Sequence, residues 1–113
     1  MASLASFTTV FVTAVQVNGM DDDPRGITAV RWDSGDRWPE ESSVADFVRW
    51  LDRGGARAYV LDADGGRGAR IRVHHDGRLR HLRTAEGDPA LDALLTLPRW
   101  QGHGARKKHM SRG

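Results

Sequence analysis

The chain has 113 residues, enough to bury one hydrophobic core and too few for two, which argues against a multi-step enzyme carrying its own cofactor domain. It contains no cysteine, which removes disulfides, thiolate zinc sites and cysteine nucleophiles together; any metal would have to rest on His and carboxylate, and reduced cytoplasm is the natural compartment. The net charge of +2 hides an uneven distribution: residues 1–55 carry five Arg against nine Asp and Glu, about −4, and residues 56–113 carry twelve Arg and Lys against six, about +6, which predicts one acidic and one basic surface.

Residues 1–9 read as an N-terminal extension. The stretch up to Val17 is apolar, but it has no basic segment before it and its apolar residues alternate with Thr and Gln, so it reads as a strand rather than a leader. Nothing approaches the roughly 20 apolar residues of a membrane span. Residues 10–17 are rich in β-branched side chains and are closed by the turn signal Asn18-Gly19, which predicts a first strand. The acidic run Asp21-Asp22-Asp23 with Pro24 breaks it, and residues 27–32 form a second strand, antiparallel to the first. Asp33 to Ser42 is a polar connection in which Trp38-Pro39-Glu40-Glu41 is compatible with a first helical turn.

The one segment with a clear helical period follows. Val44, Phe47, Val48 and Leu51 share an arc, Trp50 flanks it, and Ala45, Asp46, Arg49, Asp52 and Arg53 fill the rest of residues 44–53. Ser43 with Asp46 makes a capping box, and Gly54-Gly55 supplies a left-handed stop. Residues 58–61 predict a third strand, ended by the glycine-rich loop at 64–68.

Residues 70–84 predict a hairpin about Asp76-Gly77 as the two-residue turn. That register places His75 opposite Arg78, Arg72 opposite His81, and His74 and His81 diagonally across from each other. One face then holds Ile71, Val73 and Leu82. The other holds Arg70, Arg72, His74, Leu79, His81 and Arg83, a cationic stripe. Residues 90–97 are apolar enough for a short helical turn or an extended closing segment, and residues 99–113, with Arg106, Lys107 and Lys108, read as a flexible basic tail. Residues 10–98 are therefore the single domain. The expected fold is α+β: a twisted antiparallel sheet of about five strands with one main helix packed on one face.

The pieces Phe11-Val12-Thr13-Ala14-Val15, Gly26-Ile27-Thr28-Ala29-Val30-Arg31-Trp32, Val48-Arg49-Trp50-Leu51, Ala58-Tyr59-Val60, Leu82-Arg83-Thr84 and Asp92-Ala93-Leu94-Leu95-Thr96-Leu97-Pro98 come in the order of a small bacterial family, the domain of unknown function numbered 3892, which the chain resembles. The resemblance covers roughly residues 10–99. It departs where that family joins its first two strands through a His-containing segment, here Asp21 to Arg25, and at Ala93, where the family has Asn. It implies one domain and no activity.

No Ser-His-Asp or paired-carboxylate arrangement can be assembled from spacing, and Ser42 and Ser43 are accounted for by helix capping, so the chain reads as non-enzymatic and without a cofactor. A metal site at His74, His75 and His81 lacks a third placed ligand, and none is expected. Gly65-Gly66-Arg67-Gly68 leads into a strand without a Lys-Ser/Thr pair and is not a phosphate loop. What is left is the stripe of Arg70, Arg72, His74, His81 and Arg83, with the tail cations Arg106, Lys107 and Lys108. It is either an ordinary salt-bridged face or a polyanion-binding surface for nucleic acid, met through backbone charge. The alternative function is a protein-interaction or self-association module with acidic and basic halves, using Trp38 and Trp100 as partner contacts.

Overall fold

The structure is a computed structural model that describes residues 4–18, 23–35, 39–62, 64–85 and 87–100. A six-stranded sheet carries one α-helix, α1 (Val44–Asp52). The strands are β1 (Thr9–Val17), β2 (Ile27–Asp33), β3 (Glu40–Ser43), β4 (Arg57–Leu61), β5 (Arg67–Asp76) and β6 (Leu79–Arg83), in the order β3-β2-β1-β4-β5-β6. All neighbours are antiparallel except β1 and β4, which run parallel. The α+β class expected from the sequence is found, with six strands rather than five and a mixed rather than antiparallel sheet. The parallel pair arises because α1 is a crossover: it carries the chain from the β3 edge back to the far side of β1. The extra strand is β3, read from sequence as a polar connection. An edge strand of Glu and Ser is what a sheet uses to keep its rim unattractive to other chains.

Helix α1 forms where its residues specify it. The Ser43 hydroxyl accepts the Asp46 backbone N–H at 3.1 Å, and Gly54 and Gly55 take φ of 83° and 76° just past the end. Phe47, Val48 and Trp50 are buried against the sheet side that carries Val10, Val12, Val30, Trp32, Ala58, Val60, Ile71 and Leu82. The N-terminal extension is not separate from this core. Leu4 is buried, Phe7 meets Trp32 edge-on at 5.5 Å, and the Phe7 carbonyl accepts the indole N–H of Trp50 at 3.3 Å.

Strand β1 has nine residues and β4 only five, so β4 pairs with β1 over Thr9 to Val12 and leaves the rest of that edge open. Buried backbone groups need partners, and residues 98–100 supply them. The Val15 N–H donates to the Pro98 carbonyl at 2.9 Å, and the Trp100 N–H donates to the Val15 carbonyl at 3.2 Å. The chain expected to be free from Arg99 onward is therefore docked through Trp100; residues 101–113 lie outside the described residues.

Between these features, residues 89–97 form two short 3-10 turns rather than one helix, capped by the Asp88 and Asp92 side chains. Leu94 and Leu97 enter the core, while Leu91 stays exposed. Strand β5 changes partner along its length, pairing with β4 over Arg67 to Ile71 and with β6 from Arg72 onward. Gly68 is required at the first half: a Cβ there would lie 2.6 Å from the Val60 carbonyl oxygen. Among the described residues no helix is long and apolar enough to cross a membrane.

Candidate functional site

The hairpin that carries the cationic stripe turns one residue later than the sequence reading has it. Asp76 pairs with Leu79, so Gly77-Arg78 are the central residues. Gly77 takes φ of 63° and no described non-glycine residue has positive φ, which fits a turn with glycine first rather than one needing two left-handed residues. The shift keeps every side chain on its expected face but changes the neighbours. Arg72 now faces Arg83, and His74 lies directly opposite His81 instead of diagonally, with ring centroids 5.0 Å apart at 64°.

The stripe is only partly a surface. Strand β6 is enclosed by α1 on one side, where Arg80 reaches Asp52 at 2.6 Å, and by the 3-10 turn Pro24–Gly26 on the other. His81 is 5 % exposed, and its Nδ1 is buried without a hydrogen-bond partner among the described residues. Its pKa is lowered, first by burial and then by the neighbouring His74, Arg83 and Arg25. Arg83 is the other loss from the stripe. Its Nε donates to Asp92 Oδ2 at 2.8 Å, with side-chain exposures of 11 % and 0 %.

Asp92 is a structural centre that sequence reasoning missed. Its Oδ1 accepts the Thr84 hydroxyl at 2.7 Å and the Leu94 N–H at 3.1 Å, while its Oδ2 accepts the Thr84 N–H at 3.0 Å besides Arg83. The Thr84 oxygen in turn accepts the Ala93 N–H at 3.1 Å. Burial alone would raise the Asp92 pKa, but the hydrogen bonds from Thr84, Arg83 and Leu94 outweigh it and hold the carboxyl below its usual range. The only hint in the sequence is an Asp before an apolar turn, which reads as a simple cap.

Other cations are also held. Arg25 pairs with Asp23 at 2.9 Å and Asp76 at 3.3 Å, and its hydrogen bond to the Asp23 carboxylate brings that group down to about 2. Arg31 pairs with Glu41 at 2.8 Å and Arg49 with Asp46 at 3.3 Å. By contrast Arg70 and Arg72 are exposed and make no ion pair among the described residues. The salt-bridged account of the stripe thus describes its Arg83 end, and the open account describes its Arg70 and Arg72 end.

A second group lies on the same helix-free side of the sheet. Phe11 and Tyr59 are cross-strand neighbours with centroids 6.2 Å apart, Arg70 pairs with Tyr59 across β4 and β5, and the Arg67 guanidinium sits 4.5 Å over the Tyr59 ring. Arg31 lies 4.5 Å over the Trp100 ring. Trp100, expected as a free partner contact, is thus half-buried and tied to β1 and Arg31. Trp38, Arg106, Lys107 and Lys108 fall outside the described residues.

Among the described residues no group of three or more His, Asp and Glu is arranged to hold a metal ion. Comparison with protein-family models, curated proteins and solved structures finds no match for this chain.

Proposed function

We propose that this chain is a non-enzymatic nucleic-acid-binding module that meets its partner with the helix-free face of the sheet. The observation that supports this most is the outer stretch of β5. Among the described residues Arg67, Arg70 and Arg72 make no ion pair there, Arg67 lying over the Tyr59 ring, whereas Arg25, Arg31, Arg49, Arg80 and Arg83 are each held by a carboxylate. Guanidinium groups without a carboxylate partner, in a row along one strand, provide the salt-sensitive phosphate contacts that dominate nucleic-acid affinity. The tail cations Arg106, Lys107 and Lys108 add to the same charge in this proposal, and His74 offers a ring N–H on the same face; His81 and Arg83 do not contribute, because they are occupied inside the domain. Membership of the family resembled by the sequence belongs to the same proposal and adds no activity to it, and a cysteine-free chain fits a reducing cytoplasm.

The test is charge reversal at the open end of the stripe, Arg70→Glu with Arg72→Glu, read by fluorescence anisotropy with labelled single strands and duplexes. The unmutated protein should bind with an affinity that falls steeply with salt, and the double variant should lose most of that affinity while keeping its melting temperature. Absence of binding to either probe at low salt would refute the proposal and leave the protein-interaction alternative in its place. Unchanged binding by the double variant would move the contact to another surface.

A further inference from the structure

Resting on the nucleic-acid reading, we infer that the helix-free face takes single strands in particular, by stacking unpaired bases on Phe11 and Tyr59 under the Arg67 guanidinium. Strand alternation sends Val10, Val12, Ala58 and Val60 into the core beneath α1 and turns Phe11 and Tyr59 to the opposite face, where Phe11 is half-buried and Tyr59, with Arg67 over its ring, is only 9 % exposed. The helix therefore makes no demand for aromatic rings at these two positions. They nevertheless form a cross-strand pair inclined by only 32°.

The Tyr59 ring already accepts a flat cation on its outward face. The guanidinium of Arg67 lies 4.5 Å from the ring centroid, within the reach of a cation–π contact. A nucleobase is also flat and polarisable, and it can enter when Arg67, whose residue is exposed, swings off the ring and closes over the base. Arg70, directly across from Tyr59, and Arg72 two residues further along β5 are then placed for the flanking phosphates. Arg31 over Trp100 repeats the guanidinium–ring arrangement on β2. Bases inside a duplex present no free faces, so such a surface discriminates by strandedness rather than by sequence.

The experiment uses the full chain with fluorescein-labelled oligothymidylate, its oligouridylate counterpart, and a duplex carrying the same number of phosphates. The unmutated protein should prefer the single strands over the duplex at roughly 0.1 M salt. Phe11→Leu with Tyr59→Leu keeps apolar bulk and removes the rings; it should weaken single-strand binding about tenfold or more while leaving the salt slope unchanged. If the double variant keeps its single-strand affinity, or the unmutated protein binds duplex and single strand equally, stacking is overturned and the phosphate-contact reading stands. If no probe binds at low salt, both fall. Should the double variant not fold, the strand preference of the unmutated protein decides by itself.

Discussion

Removing the carboxylate of Asp92 tests whether the buried cluster at the end of β6 holds the closing segment in place. In Asp92→Ala, Arg83 loses its partner at a site where it is only 11 % exposed, and the Thr84 and Leu94 N–H groups lose their acceptors. Breaking one side of a buried ion pair costs about 3–5 kcal/mol, a large share of the ~5–15 kcal/mol that keeps a domain folded. For a chain of this size the melting midpoint should fall by roughly 15–25 °C.

Asp92→Asn should cost nearly as much as Ala, for a geometric reason. One carboxylate oxygen faces Arg83 and the Thr84 N–H, and the other faces the Leu94 N–H, so an amide NH2 in either position meets a donor. Thermal and urea unfolding followed by tryptophan fluorescence measure both. The pH dependence supplies an independent check. The folded pKa of Asp92 lies below its ordinary value of 3.8, so the unfolded chain takes up the proton first. The stabilisation is complete above about pH 5 and is lost as pH falls through the folded value. The Asn variant should lack that share of the acid sensitivity. A loss below about 1 kcal/mol for Ala, or an Asn variant as stable as the parent, would refute the reasoning.

Two further outcomes are expected. Ending the chain after Leu97 should destabilise it by about 1–3 kcal/mol relative to a chain ending after Trp100, because the two hydrogen bonds to Val15 and the stack on Arg31 go together; equal melting temperatures would show that this pairing contributes nothing. His81 sits among His74, Arg83, Arg25 and Asp23 with a lowered pKa, so its contribution is complete above the unfolded value of 6.5 and shrinks as pH falls below it. His81→Phe should therefore flatten the stability profile between pH 7 and 5, and parallel profiles for parent and variant would contradict this.

The sequence announces α1 because three local signals agree there: the apolar arc of Phe47 and Val48, the Ser43 cap and the Gly54-Gly55 stop. The hairpin is legible to within a residue. Its register depends on whether Asp76 or Arg78 shares the turn with Gly77, and only the sign of one φ angle decides that. The single-residue slip was enough to bring His74 and His81 face to face. Strand β3 is hidden because a polar rim strand carries no hydrophobic alternation. The fate of Arg83 is hidden because its partner, Asp92, is nine residues away through two irregular turns, and nothing local marks an Asp as buried. The aromatic pair is hidden for a related reason: Phe11 and Tyr59 come together only through the parallel pairing of β1 with β4, a contact set by the helical crossover rather than by neighbouring sequence.

The late pairing of Val15 with residues 98–100 bears on how the chain is made. Residue 99 follows residue 15 by about 84 positions, and at ~5–20 residues per second of synthesis the ribosome takes roughly 4–17 s to cover that distance. During that interval the nascent β1 carries an apolar, β-branched edge with backbone groups that nothing yet occupies. The domain can close that edge only after translation has passed Trp100, so the newborn chain has seconds in which chaperones or neighbouring nascent chains can reach it.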